Sequence, residues 1–352
     1  MFMMIKSAEP FEGSEIRQDL ITEKWVILAT QRAKRMHEAE LNGEKKDIPP
    51  TYVDSCPFCN LDKFPQAEDT LVLPDLANWR VRSFQNKYPA LIEGDSVKER
   101  KDGIYIALSG TGFHEVVISK DHNAYTHNAN DLDVMLHFKA LRDRYSYFSK
   151  IPTVNYVQII ENHGKEGGAS LEHMHSQIFA LPIVPTDEVS DLLDGAERYF
   201  TKNKRCGYCD IIENEKKDKR RVIFENDLFI VFAPFAPRVS SEQWILPKEH
   251  HPGFERLTDL ELPQLVEAVK VVTQGLQKRF NDPPYNMFIY SSPCDDTGSF
   301  YPRDKYAHFH WQIRYLPRIG KMAGFEMATG LEISATLPED DAEYFRSIIN
   351  NK

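Results

Sequence analysis

Residues 161–182 read ENHGKEGGASLEHMHSQIFALP: a glycine-rich run, then His173-Met174-His175-Ser176-Gln177, then an apolar strand ending at Leu181-Pro182. Residues 308–317, HFHWQIRYLP, repeat the second part, with His308, His310, Gln312-Ile313 and Leu316-Pro317 in the matching order. Outward from these stretches, more landmarks agree. CPFC (56–59) and SKDH ending at His122 precede the first copy. CGYC (206–209) and PKEH ending at His250 precede the second. Three ordered landmarks implying one long helix before each HxHxQ mark two copies of one unit. We expect a pseudo-two-fold relation and a shared sheet.

The repeated landmarks suit a metal. Zinc takes four thiolate or imidazole ligands in a tetrahedron. A CxxC turn supplies two thiolates, the K-[D/E]-H strand end one imidazole and the first His of HxH another. The expected ligands are Cys56, Cys59, His122 and His173 in one half, and Cys206, Cys209, His250 and His308 in the other. His127 competes with His122, and His251 with His250. A single CxxC is a weak signal, whereas two with the same trailing histidines are a strong one. A thioredoxin-like redox pair would not need those histidines. Cys294, the fifth cysteine, has no CxxC partner.

The halves differ before HxH. Only the first carries a Gly-rich loop, whose backbone N–H groups can approach phosphate oxygens; the second reads Ser299-Phe300-Tyr301-Pro302-Arg303-Asp304-Lys305-Tyr306-Ala307. Along an extended HMHSQ, His173, His175 and Gln177 share one face. With His173 held by zinc, His175 is free beside the loop as a nucleophile toward phosphorus, and Gln177 offers an amide to a phosphoryl oxygen. His310, lacking the loop, is expected to be silent.

The chain has 352 residues, 43 Lys+Arg against 53 Asp+Glu, and a net charge of −10. An acidic balance disfavours a nucleic-acid coat, while a few local Arg and Lys suffice for a phosphate. Hydrophobic content of 41% and charged content of 27% are globular values. No run approaches a membrane span, and MFMMIKSAEPFEG lacks the apolar core of a signal peptide. A cytoplasmic protein without membrane partners is expected.

Strands are expected in EKWVILAT, HEVVIS, VNYVQIIEN, QIFALPIV, DLFIVFA, EQWILP, YNMFIYSS and HWQIRYLP. Helices are expected over 131–149, capped by Asp131, and over 258–280, capped by Thr258. Residues 38–52 and 94–103 read as loops, and 202–220 as the connection between halves. The expected class is α+β on antiparallel sheets, with an N-terminal half over 1–198 (catalytic, zinc) and a C-terminal half over 199–352 (structural zinc).

These motifs resemble the histidine-triad superfamily, specifically its galactose-1-phosphate uridylyltransferase branch. The likeness also includes Trp25-Val26-Ile27, Gln31-Arg32-Ala33-Lys34-Arg35, Asn86-Lys87-Tyr88-Pro89-Ala90-Leu91 and Gly324-Phe325-Glu326. It implies two histidine-triad units in one chain, a homodimer, and ping-pong transfer of a nucleoside monophosphate through His175, with Gln177 steadying the phosphoryl group. It further implies that Asn162, Gly168 and Ser170 line phosphate oxygens, that Asn86 lies in the nucleotide pocket and that Arg32 and Arg35 meet phosphate. Lys321, Phe325 and Glu326 would recognise the sugar phosphate, contributed across the dimer in many members. Met174 stands where members commonly have Pro, and Ala169 where they often have Cys. The iron site of some members has no counterpart here, so the second site resembles the zinc version. The implied substrates are a nucleotide sugar and a hexose 1-phosphate, with a uridylyl group favoured over the adenylyl group of the similar ADP-glucose phosphorylase subgroup. A non-catalytic zinc protein is disfavoured by the intact His175, Gln177 and loop. A DNA-end-processing relative is disfavoured by the charge.

Overall fold

The protein is represented by a computed structural model describing residues 11, 13–32, 49–294, 304–320 and 323–350. The first half contains β1 (Ser14–Gln18), β2 (Trp25–Ala29), β3 (Asp69–Leu73), β4 (Val81–Gln85), β5 (Glu99–Asp102), β6 (Tyr105–Leu108), β7 (Phe113–Ser119), α1 (Asp131–Phe148), β8 (Tyr156–His163) and β9 (His175–Leu181). After α2 (Glu188–Asn203) and α3 (Gly207–Asp218) come β10 (Val222–Glu225), β11 (Phe229–Phe232), β12 (Gln243–Pro247), α4 (Leu262–Phe280), β13 (Tyr285–Tyr290), β14 (Gln312–Pro317), α5 (Gly324–Thr329), β15 (Glu332–Ser334) and α6 (Pro338–Asn350).

The class is α+β. Ten strands form one antiparallel sheet in the order β3-β4-β7-β9-β8-β13-β14-β12-β11-β10. Its second five mirror its first five: β13 answers β8, β14 answers β9 and β12 answers β7. The seam is the β8–β13 pair, where Asn162 faces Asn286 and Ile160 faces Phe288. The two long helices cover one face. Leu141, Tyr145 and Phe148 of α1 share one buried core with Leu265, Val269 and Val272 of α4 and with Ile159, Ile178, Ile289 and Ile313 of the sheet. Removing this apolar surface from water welds the halves together.

Several expectations change in detail. Asn130, not Asp131, caps α1: its side chain accepts the Asp133 N–H at 2.9 Å. Thr258 lies in the turn before α4, donating to Glu261, because Pro263 starts that helix later. Part of the expected 94–103 loop is β5, paired with β6 as a separate hairpin. The expected boundary at 198/199 falls inside α2, and much of the 202–220 connection is α3. Among the described residues no helix is long and apolar enough to cross a membrane.

Candidate active site and metal centres

In the first half, the side chains of Cys56, Cys59, His122 and His173 converge, with their ligand atoms within 4.8 Å of one another. His173 Nε2 donates to the Ser119 carbonyl at 2.7 Å, so Nδ1 keeps its lone pair. That Nδ1 lies 3.6 Å from Cys56 Sγ and 3.4 Å from Cys59 Sγ, and His122 Nδ1 lies 3.3 Å from Cys59 Sγ. A tetrahedral zinc with ordinary bond lengths needs N···S edges of roughly 3.5 Å, so the donor set fits. As a free thiol, Cys59 is pushed up to about 11, chiefly by burial and also by the Cys56 sulfur. Metal binding would release its proton.

The second cluster corrects the expectation. It consists of Cys206, Cys209, His250 and His310, not His308. His310 Nε2 donates to the Pro247 carbonyl at 2.9 Å, and its Nδ1 faces Cys209 Sγ at 3.7 Å and Cys206 Sγ at 4.0 Å. His250 likewise donates from Nε2 to Ala307 and turns Nδ1 to Cys209 at 3.4 Å. His308 instead packs against Phe200 of α2.

The reason is strand register. Each cluster histidine lies two residues before the first strand residue: His173 before His175, and His310 before Gln312. His173 reaches back to Ser119, three residues before His122, as His310 reaches back to Pro247, three before His250. His175 therefore corresponds to Gln312, and Gln177 to Arg314. Matching Gln177-Ile178 with Gln312-Ile313 slips the copies by two residues. One strand period leaves every face unchanged, which made the slip chemically plausible.

His175 opens β9, with Phe58 of the CPFC turn edge-on at 5.4 Å between ring centroids. Its Nδ1–H donates to the His173 carbonyl at 2.8 Å, which leaves the lone pair on Nε2. Burial holds its imidazole below the ordinary histidine range, partly opposed by that carbonyl, so the neutral form is favoured.

Antiparallel pairing brings Asn162 of β8 beside His175, on the same face as Gln177. The loop between β8 and β9 turns at Gly168, whose φ of +88° suits glycine. At Gly167 a Cβ would meet the His163 carbonyl at 2.2 Å. The Gly168 and Ala169 amides donate to Lys165 and Gly164 carbonyls. They close the loop on itself instead of pointing outward, which differs from the expected cradle. Ser170 follows, exposed.

Asn86 extends β4 toward the site, with its amide nitrogen 3.2 Å from His114 Nε2. Arg32 is exposed on the turn after β2. Phe325 and Glu326 lie on α5, just before β15. Because β15 runs parallel to β2, α5 and Arg32 flank opposite ends of that small sheet. Glu326 accepts the Ala323 N–H at 3.0 Å. Arg35 and Lys321 lie outside the described residues.

Two residues that the sequence reading passed over touch this site: His114 on β7 and Asn286 on β13. His114 alternates with Val116, which pairs with Gln177. That alternation was available in HEVVIS once β7 was set beside β9.

A duplicated antiparallel unit with a buried HxH beside a glycine turn defines a histidine-triad-like transferase fold. Models of the galactose-1-phosphate uridyl transferase N-terminal and C-terminal domains match residues 4–185 and 193–351. The chain belongs to that family of nucleotidyltransferases. It is 34% identical to ADP-glucose phosphorylase of Arabidopsis thaliana, covering 96% of this chain and 93% of that protein. It is 26% identical to galactose-1-phosphate uridylyltransferase of Thermotoga maritima, over 94% and 98%. The crystal structure of the Arabidopsis phosphorylase with bound ADP-glucose superposes with a TM-score of 0.78 at 32% identity, over 95% of this chain and 98% of that one. A uridylyltransferase mutant follows with a TM-score of 0.71 at 25% identity, over 96% and 98%.

Proposed function

We propose that this enzyme moves a nucleoside monophosphate from a nucleotide sugar to a second phosphate compound through a covalent nucleotidyl-His175. The carrying observation is the His175 Nδ1–H bond to the His173 carbonyl, which leaves Nε2 as the nucleophile beside the glycine turn. Nε2 attacks the α-phosphorus, the N–P bond forms, and the P–O bond to the departing sugar 1-phosphate breaks. An acceptor phosphate oxygen then attacks the same phosphorus and the P–N bond breaks. Splitting transfer in two spares the site from holding both anions at once.

In this reading Gln177, Asn162 and Ser170 meet the phosphoryl oxygens and Gly168 shapes their turn. Asn86 borders the nucleotide, while Arg32 and Arg35 meet phosphate. The two Cys2His2 clusters hold zinc, two ions per chain, the second through His310. Zinc bound there would tie each CxxC turn to the sheet and fix His173. Lys321, Phe325 and Glu326 recognise the sugar phosphate across a homodimer. The exposed β5–β6 hairpin supports that assembly: Ile104, Tyr105 and Ile106 are 88%, 71% and 66% exposed, an arrangement unstable on its own in water.

The donor we favour is ADP-glucose with inorganic phosphate as acceptor, reversing the preference drawn from sequence. The 34% identity to a phosphorylase against 26% to a uridylyltransferase supports it. The second reading, UDP-glucose with a hexose 1-phosphate, is supported by the family models over both halves. Incubation with each nucleotide sugar and intact-mass measurement decides: an adenylyl adduct supports the first, a uridylyl adduct the second. Absence of both overturns transfer through His175.

A further inference from the structure

Gln177 and Asn162 carry amides whose two ends differ chemically. Only the NH2 end stabilises charge developing on a phosphoryl oxygen. An amide turned the wrong way presents an oxygen to an anion. Whatever fixes their orientation therefore acts on the reaction, and in each case the chain of contacts ends on a backbone group that cannot flip.

For Gln177, the anchor is the Ala90 N–H. It donates to His114 Nδ1 at 3.1 Å, so that nitrogen has no hydrogen. The neutral ring then carries its hydrogen on Nε2, 3.0 Å from Gln177 Oε1. Burial favours this neutral ring. Stacking on Phe179, 4.0 Å between centroids, holds its plane. The neighbouring Asn86 amide is oriented as well, because its Oδ1 accepts the Tyr88 N–H at 2.9 Å. A flipped Gln177 would bring its NH2 against the His114 N–H; Asn86 Nδ2, 3.2 Å from the same nitrogen, does not bond to it in this tautomer and does not decide the orientation. The unflipped amide sends its NH2 away from His114.

For Asn162, the anchor is the Gly167 carbonyl. Asn286 Nδ2 donates to it at 2.6 Å and to Asn162 Oδ1 at 2.8 Å, using both hydrogens. Asn162 Nδ2 is thereby turned toward the glycine turn, and a Cβ built on Gly168 would lie 3.8 Å from it.

We infer that His114 and Asn286 are positioning residues, which lock the Gln177 and Asn162 amides with their N–H groups toward the transferred phosphoryl group. The inference rests on the nucleotidyl-transfer reading above. Asn286 reaches across the β8–β13 seam, so the half without a nucleophile helps to orient the half that has one.

The test is the single-turnover rate of adduct formation with ADP-glucose or UDP-glucose, whichever labels the wild type, together with KM, kcat and the thermal midpoint. His114→Asn keeps an acceptor for Ala90 but does not reach Gln177. His114→Gln reaches Gln177 with an N–H. Loss of a fixed donor typically costs about 10²–10³ in kcat. We expect His114→Asn and Asn286→Ala to slow adduct formation by about tenfold to a hundredfold, with KM and midpoint little changed. His114→Gln should recover most of the rate. Asn286→Asp, which sets an oxygen against two oxygens, should be slower than Asn286→Ala. Wild-type labelling with unchanged rates in His114→Asn and Asn286→Ala overturns the inference alone. Rates that fall only in step with the midpoint, or equal rates for His114→Asn and His114→Gln, also overturn it. No adduct on the wild type overturns the nucleotidyl-transfer reading, and the inference falls with it.

Discussion

Two faces of the same sheet position can be compared residue by residue. In the first half the N-terminal end of β9 carries buried His175 and half-buried Gln177, with half-buried Asn162 alongside. In the second half the corresponding places on β14 and β13 hold Gln312, Arg314 and Tyr290. Arg314 is buried, its guanidinium 3.9 Å from the Trp244 ring centroid, and its Nε donates to Gln312 at 3.0 Å. Glu188 of α2 lies 3.5 Å away. The second half thus fills the corresponding place with a buried charge network that includes Glu188 of α2. Duplicated backbone geometry is kept while the chemistry is replaced. A nucleophile needs open access on one side; a copy relieved of that need can be packed shut.

The largest test of this contrast is removal of His175. His175→Ala should lower turnover by at least about 10⁴-fold and abolish the adduct, since a nucleophile contributes on that scale. Gln312→Ala should leave the adduct intact on mass measurement. An unlabelled Gln312 variant with an unchanged melting profile would break the comparison.

Metal content sharpens it next. Elemental analysis should find two zinc equivalents per chain, from the two clusters. His310→Ala should lose the second equivalent, and His308→Ala should keep both. The opposite pattern would restore the register read from HxHxQ. Cys206→Ser should lower the thermal midpoint more than the adduct rate of the remaining folded protein.

The inner faces differ too. Glu115 of β7 is clamped by Arg144 of α1 at 2.6 Å and 2.7 Å and receives the Ser83 hydroxyl at 2.9 Å. Its counterpart Gln243 is buried, and neither of its side-chain polar atoms has a hydrogen-bond partner among the described residues. Arg144→Ala should cost about 3–5 kcal/mol in denaturant unfolding, because it strands a buried carboxylate. Gln243→Met should be neutral or stabilising. Equal losses from both would contradict the distinction.

The smallest expected effect is on acid stability. Beneath the nucleophile strand, His137 bonds Ser176 at 2.8 Å, and Tyr285 bonds Glu161 at 2.6 Å. The matching second-half positions are Ile313 and Ile289. Burial, with a smaller push from His175, holds His137 down to about 3. An unfolded histidine titrates near about 6.5. Below that pH the unfolded chain binds a proton that the folded one refuses, so His137 costs stability as pH falls toward 3. The slope is at most about 1.4 kcal/mol per pH unit. Burial raises the Glu161 pKa, an effect of opposite sign, so the comparison is between wild type and His137→Gln. The variant should lose less stability between pH 6.5 and 5; identical curves would remove His137 as the source.

Residue order alone determined the duplication, the α+β class, both CxxC pairs and the place of His175, because alternation and ligand chemistry are local properties of the chain. Eight of the strands and the two long helices were legible for the same reason, whereas short or exposed strands such as β1, β3, β4, β10 and β15 and the helices α2, α3 and α6 were not read. Tertiary structure decided what local pattern leaves degenerate. A two-residue slip preserves faces, so only the strand partners could choose His310 over His308. The amide orientations of Gln177 and Asn162 depend on Ala90 and Gly167, which are remote or weakly marked in sequence. Asn286 joins the site only because antiparallel pairing across the seam sets β13 beside β8, and no spacing along the chain encodes that neighbour.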